Sequence, residues 1–271
     1  EGQVLLLPNE RSVFDLNAQL AADLQPQRQQ RWQSASREEL LTAVRETAGI
    51  RPLEALAEPT VQQAGTVQRE GYHIDKLVLR RGDGCPLPML VFQPEAATAA
   101  TAYLYVHDGG KAADAAPGGP MEALVRAGHQ VVSLDLRGQG ETADGRLDPT
   151  LGDWRTFFLA YLLGQSVVGA HAEDLMIVGR WMAQAPASTP RKIHLLASGR
   201  SGVAAAHAAA LNSQFFAQLT LKGGPQSWTV TAGSVEEAKW LTTTVHAALQ
   251  TYDLPDLIGS LPAGVEVKRV P

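Results

Sequence analysis

Residues 192–211 read KIHLLASGRSGVAAAHAAAL. A short apolar run enters Ser198-Gly199, and an alanine-rich run leaves from Ser201. The first half fits a buried strand and the second a helix, joined by a glycine turn. A turn of that kind can lift a serine hydroxyl clear of a sheet edge, which makes Ser201 a candidate nucleophile. A nucleophilic serine also needs a base and an acid behind it.

The same alternation extends outward from this stretch. Upstream, TAYLYVHDGG (101–110) reads as a strand running into glycines, PMEALVRAG (120–128) as a helix and HQVVSLDLRGQG (129–140) as a strand. VVGAHAEDLMIVGRWMAQAP (167–186) follows as a long amphipathic helix. Downstream come a strand at AQLTLKGG (217–224), a predicted helix at SVEEAKWLTTTVHAALQTY (234–252) and a final strand at GVEVKRVP (264–271). Strands that alternate with helices predict an α/β, doubly wound, mostly parallel sheet, with its ligand site at the carboxyl ends of the strands. Before them, IDKLVLRR (74–81) and LPMLVFQP (87–94) read as two strands across a GDG turn. Residues 1–65 read as a helical extension and linker. Ser36 with Glu39 forms a capping box, Gly49 stops that helix, and Pro52 and Pro59 follow. Residues 66–271 then form one compact unit.

The 271 residues are 45% hydrophobic and 19% charged, with a net charge of −5. This is enough chain for one large core. Mild acidity argues against nucleic acid or an anionic membrane as partner. No apolar run reaches the length that spans a bilayer. The single cysteine, Cys85, excludes an intrachain disulfide and a cysteine-based metal site. No HExxH, CxxC or phosphate-loop pattern is present, so neither a metal nor another cofactor is expected.

Three strand ends face the predicted active edge. His107-Asp108-Gly109-Gly110 could free backbone N–H groups for an oxyanion, or could simply turn the chain. Asp135 and Arg137 in DLRGQGET (135–142) fit a structural ion pair or loop hydrogen bonds. At the third end, a nucleophile elbow holds its serine in strained backbone geometry, with small residues two places before and after. Gly199 supplies the first, but Val203 occupies the second and Gly202 is one place early. Gly202 remains a candidate oxyanion donor at the helix start.

The histidines sort by position. His129 begins its strand at the opposite edge, and His194 lies seven residues, roughly 20 Å, before Ser201. His207 is turned off the serine's side of its helix. His73 precedes the first strands, and His171 suits a capping or surface role. His107 and His246 remain as candidate bases. Asp253 and Asp256 in YDLPDL read as helix caps.

Taken together, HDGG, DLRGQG and GRSG at successive strand ends resemble the α/β-hydrolase superfamily. More narrowly they resemble bacterial acetyl xylan esterases and dienelactone-hydrolase-like proteins. GYHIDKLVLRRGDGCPLPMLVFQPE (71–95), FLAYLLGQSVVGAHAEDLMIVGRWM (158–182) and VHAALQTYDLPDL (245–257) carry the same resemblance. It implies Ser201 as nucleophile, Gly202 as oxyanion donor and His107–Gly110 as oxyanion loop. It also implies an exported location, and an acylated carbohydrate or small ester as substrate of an active member.

The family's acid follows its next-to-last strand and its histidine the last; GVEVKRVP matches the former, and the rest has no counterpart. The opening GQVLLLPNERSVFDLNAQL (2–20) resembles the junction after a first hydrolase domain. The expected chain is therefore a degenerate second domain lacking the final strand, with little activity of its own. Its expected partner is a preceding catalytic domain or a second copy. The alternative is an active serine carboxylesterase, with a base from His246, His107 or a segment outside the chain.

Overall fold

The computed structural model describes residues 10–96, 99–143, 145, 152–184, 192–234 and 236–270. Two helices lead in, α1 (Val13–Ser34) and α2 (Arg37–Ala48), each opened by a serine capping box. Gly49 ends α2 in the left-handed conformation that glycine adopts without steric cost. The strands β1 (Thr60–Arg69), β2 (Tyr72–Arg80) and β3 (Pro86–Pro94) form an antiparallel meander. Then come β4 (Thr101–His107), α3 (Pro120–Arg126), β5 (Gln130–Leu134), α4 (Trp154–Leu162), α5 (Val167–Gln184) and β6 (Lys192–Ser198). The chain closes with α6 (Ser201–Leu211), β7 (Phe216–Lys222), the single-turn α7 (Trp228–Thr231), α8 (Leu254–Gly259) and β8 (Glu266–Val270).

All eight strands form one sheet in the order β1-β2-β3-β5-β4-β6-β7-β8. Every neighbour from β5 through β8 is parallel. Strands β4, β5 and β6 run through the middle with almost wholly apolar interiors, as a sheet covered on both faces requires. On one face α2, α5, α6 and α8 pack over Leu104, Val132, Leu195 and Leu219. On the other, α3 packs Met121 and Val125 against Phe92, Tyr105 and Val131.

Two expectations are corrected. The sheet begins at Thr60, inside the stretch read as linker up to residue 65. Strand β1 pairs only with β2, carries a bulge between Gln63 and Gly65, and buries no side chain. An edge strand with two wet faces leaves no alternation in the sequence. The predicted continuous helix over 234–252 is instead a 3-10 segment, Glu236–Thr243, a left-handed Ala247 and a second 3-10 turn, Ala248–Gln250. Thr243 and Thr244 turn their hydroxyls back onto the carbonyls of Trp240 and Leu241 at 2.8 and 2.7 Å. Such back-bonding, with β-branching, works against a regular helix.

A buried charge network fixes α5 beneath the active edge. Asp174, fully buried, accepts from Arg81 and from Arg137, the latter at 2.7 and 3.1 Å. Glu173 accepts from Arg81 at 2.9 Å and from Arg51 at 2.7 Å. Burial works to raise the Glu173 carboxyl, but its hydrogen bonds from Arg51 and Arg81 outweigh that and hold it below the ordinary value. The loop after β5 is thus tied down by ions, the structural role read for Arg137. Asp135 does likewise for the loop after β4, accepting from the Lys111 backbone at 2.7 Å and its ammonium at 2.6 Å.

Candidate active site

Parallel pairing places His107 of β4 opposite Ser198 of β6, so their two loops leave the sheet side by side. The turn after β6 is made by glycine: Gly199 has φ +69°, Arg200 is helical, and Ser201 is already the first residue of α6. Ala247 is the one non-glycine described residue with positive φ, so Ser201 lacks the backbone strain expected of an elbow. Gly199 absorbs the chain reversal two residues early and leaves Ser201 a helical conformation at no cost.

The candidate oxyanion donors are all engaged in backbone or loop hydrogen bonds. The N–H of Gly202 donates to the Gly199 carbonyl at 3.2 Å, which corrects its expected role. In the facing loop, Asp108 N–H donates to Ser198 O at 3.3 Å and Gly110 N–H to His107 O at 2.9 Å. Gly109 N–H donates to His107 Nδ1 at 2.8 Å, so that nitrogen is an acceptor occupied by its own loop. The loop folds this way because glycines at 109 and 110 let it curl tightly. A Cβ on Gly110 would lie 2.7 Å from an Asp135 oxygen.

Asp108 turns its carboxylate over Gly199, where a Cβ would stand 2.7 Å from the carboxyl carbon. It pairs with Arg200 at 3.3 Å, and the guanidinium lies 4.0 Å above the Trp240 ring. Asp108, Arg200 and Trp240 therefore form a cover beside Ser201. Gly199→Ala is expected to cost on the order of 1–3 kcal/mol, from left-handed strain and expulsion of Asp108. Chemical denaturation of the variant measures this, and a change under about 0.5 kcal/mol would contradict the turn described.

Ser201 itself is 3% exposed, and its hydroxyl has no hydrogen-bond partner among the described residues. It lines a cavity of about 30 Å³ with Gln139, His171, Thr242 and Thr243. That is room for about one water and not for an ester. Gln139 Oε1 is likewise buried without a partner.

The histidines fall elsewhere than the two candidates suggested. His246 packs its ring 4.5 Å from Tyr161 and lines a separate cavity that shares no residue with that of Ser201. The broken helix over 234–252 carries it away. His107 accepts from its own loop. His171, read as a cap or surface residue, is buried in the Ser201 cavity, with Nε2 2.7 Å from the Arg137 carbonyl. Burial lowers its pKa, against the pull of Asp174. A sequence signal for it existed: His171 and Asp174 stand three apart, on one face of α5. His207, on α6 itself, is sealed against Trp228 and Tyr252, while His129 and His194 flank Tyr103 edge-on. Asp253 and Asp256 form the capping box of α8. Among the described residues no group of three or more His, Cys, Asp or Glu could hold a metal ion.

This geometry can be set beside known proteins. No protein-family model matches the chain, and no curated protein matches it in sequence. Solved structures do match in shape. A protein of Bacteroides fragilis assigned as an acetyl xylan esterase is 16% identical at a TM-score of 0.65, covering 97% of this chain and 84% of that one. Acetyl xylan esterase 1 of Thermoanaerobacterium is 14% identical at 0.55, covering 87% and 86%. A glucuronoyl esterase of Solibacter usitatus is 14% identical at 0.57, covering 89% and 75%. The fold is that of the α/β-hydrolases. Within it, Ser201, the His107–Gly110 loop and the DLRGQG loop occupy adjoining strand ends of the α/β-hydrolase sheet, as the motif order implied.

Proposed function

We propose that this chain is a non-catalytic module of the esterase-like α/β-hydrolase fold, which acts by binding. The observation that carries the reading is the hydrogen-bond account of the oxyanion loops. The N–H groups of Gly202, Gly109 and Gly110 are engaged within their own turns, and that of Asp108 across to Ser198 of β6. Removing one such donor from an enzyme costs about 10²–10³ in rate, and general-base help contributes about 10²–10⁴ more. The Ser201 hydroxyl is hydrogen-bonded to no base among the described residues. The chain's partner on this reading is a catalytic hydrolase domain, in keeping with the resemblance of residues 2–20.

Ser201→Ala is expected to leave hydrolysis of p-nitrophenyl acetate by the purified chain within about twofold of the parent. Saturable activity that falls a hundredfold or more on that change would reverse the proposal. One observation favours a second reading, an active serine esterase: His171 shares the Ser201 cavity. That reading requires a fluorophosphonate probe to label Ser201, and His171→Ala to abolish the labelling.

A further inference from the structure

A second cavity, about 490 Å³, opens between the N-terminal half of α1 and the 241–250 segment. Its volume lies within the range of small-molecule sites, about 300–1,000 Å³. Trp228 and Val245, both buried, form its floor, and Phe14 and Leu20 of α1 form one wall. Most of the lining is apolar, with Thr231, Ser234 and Thr244 half-buried in it. Asn17 and His246 are exposed, and the His246 ring is steadied against Tyr161. Among the described residues of the lining there is no Asp, Glu, Lys or Arg, which argues against a charged ligand. Ala247, the left-handed residue, forms part of the same wall. Backbone strain of that kind persists where the surroundings enforce it, and ligand clamps are among such places.

The mouth is not a flat docking face. Leu20 is 57% exposed at the rim, whereas the floor residues are closed to solvent, so an occupant inserts an apolar part and leaves its polar end outside. We propose that this cavity is a binding site for a neutral amphiphile, an alkyl or aryl chain carrying an uncharged hydrogen-bonding head that meets Asn17 or His246. The site is independent of Ser201, because binding here needs no chemistry there.

Isothermal titration of the purified chain with 1-octanol tests the proposal, with octanoate as its charged counterpart. One saturable site is expected, with octanoate weaker by at least tenfold. Leu20→Trp and Asn17→Trp, both exposed helical positions, are each expected to weaken octanol at least tenfold while circular dichroism is unchanged. Leu162→Ser, on the exposed apolar face of α4, is expected to leave octanol binding as it was. The proposal is overturned if octanol does not saturate, if neither tryptophan variant affects it, or if Leu162→Ser abolishes it. A dimer that Leu20→Trp dissociates, with no octanol binding, would equally overturn it in favour of a second copy.

Discussion

Asp174→Ala is expected to lower stability by about 3–5 kcal/mol, the scale for breaking a buried ion pair from one side. Asp174 is fully buried and Arg81 has 2% of its side chain exposed, so water cannot take the place of the lost partner. Arg81 would keep Glu173 and Asp83, each through the same terminal nitrogen, but its Nε already lacks a partner and its other terminal nitrogen would lose Asp174. Arg137 would lose both side-chain bonds and its backbone bond to the same carboxylate, at 2.7, 3.1 and 3.3 Å. The loop that carries Gln139 into the Ser201 cavity would then be released. Urea denaturation of the purified variant gives the value directly. A loss below about 1 kcal/mol would mean that the network is dispensable. Replacing the charges together by apolar residues should cost far less than removing one, since the penalty comes from the stranded guanidiniums.

Strand and helix order were legible at the centre of the sheet because there the interior imposes itself on the sequence. LYVH and LLAS are buried on both faces, so almost every residue is apolar. The two errors arose where that pressure is absent. Residues of β1 face water on both sides, and TVQQAGTVQR shows it. Thr243 and Thr244 bond back to their own turn, which composition does not reveal. The site was legible as a place but not as a machine. GRSG names the turn, yet whether strain sits on Gly199 or Ser201 depends on backbone angles that the same four letters permit either way. The neighbours that decide the chemistry also come from afar: Asp108 reaches Arg200 across 92 residues. Trp240 and His171 arrive on segments whose paths only the packing fixes.

The pH dependence of folding should carry the signature of His207. This residue is completely buried, between Trp228 at 5.9 Å and Tyr252 at 5.5 Å, ring centre to ring centre. Its Nδ1 donates to the Val203 carbonyl at 2.7 Å, which makes Nε2 the acceptor for the Tyr252 hydroxyl at 2.8 Å. In the neutral ring both nitrogens are satisfied; protonation would force the Tyr252 hydroxyl to turn from donor to acceptor and would leave a charge in a site closed to water. Burial accordingly lowers its pKa to about 4, opposed by the Val203 bond. In the unfolded chain the ring titrates near 6.5. Between these values the unfolded state binds more protons, so stability rises with pH through the window and is lost as pH falls from about 7 to 4. The expected loss from this one group is about 3 kcal/mol over that range, at 1.36 kcal/mol for each pKa unit. Carboxylates such as Glu173 and Asp253 titrate in the acid range too, so the informative quantity is a difference. His207→Gln is expected to be less stable than the parent at pH 7 and to close about 3 kcal/mol of that gap by pH 4. Denaturant midpoints across the range measure it. A gap that stays constant would show that the ring takes up its proton without cost, and would exclude burial as the force that keeps His207 neutral in the folded chain.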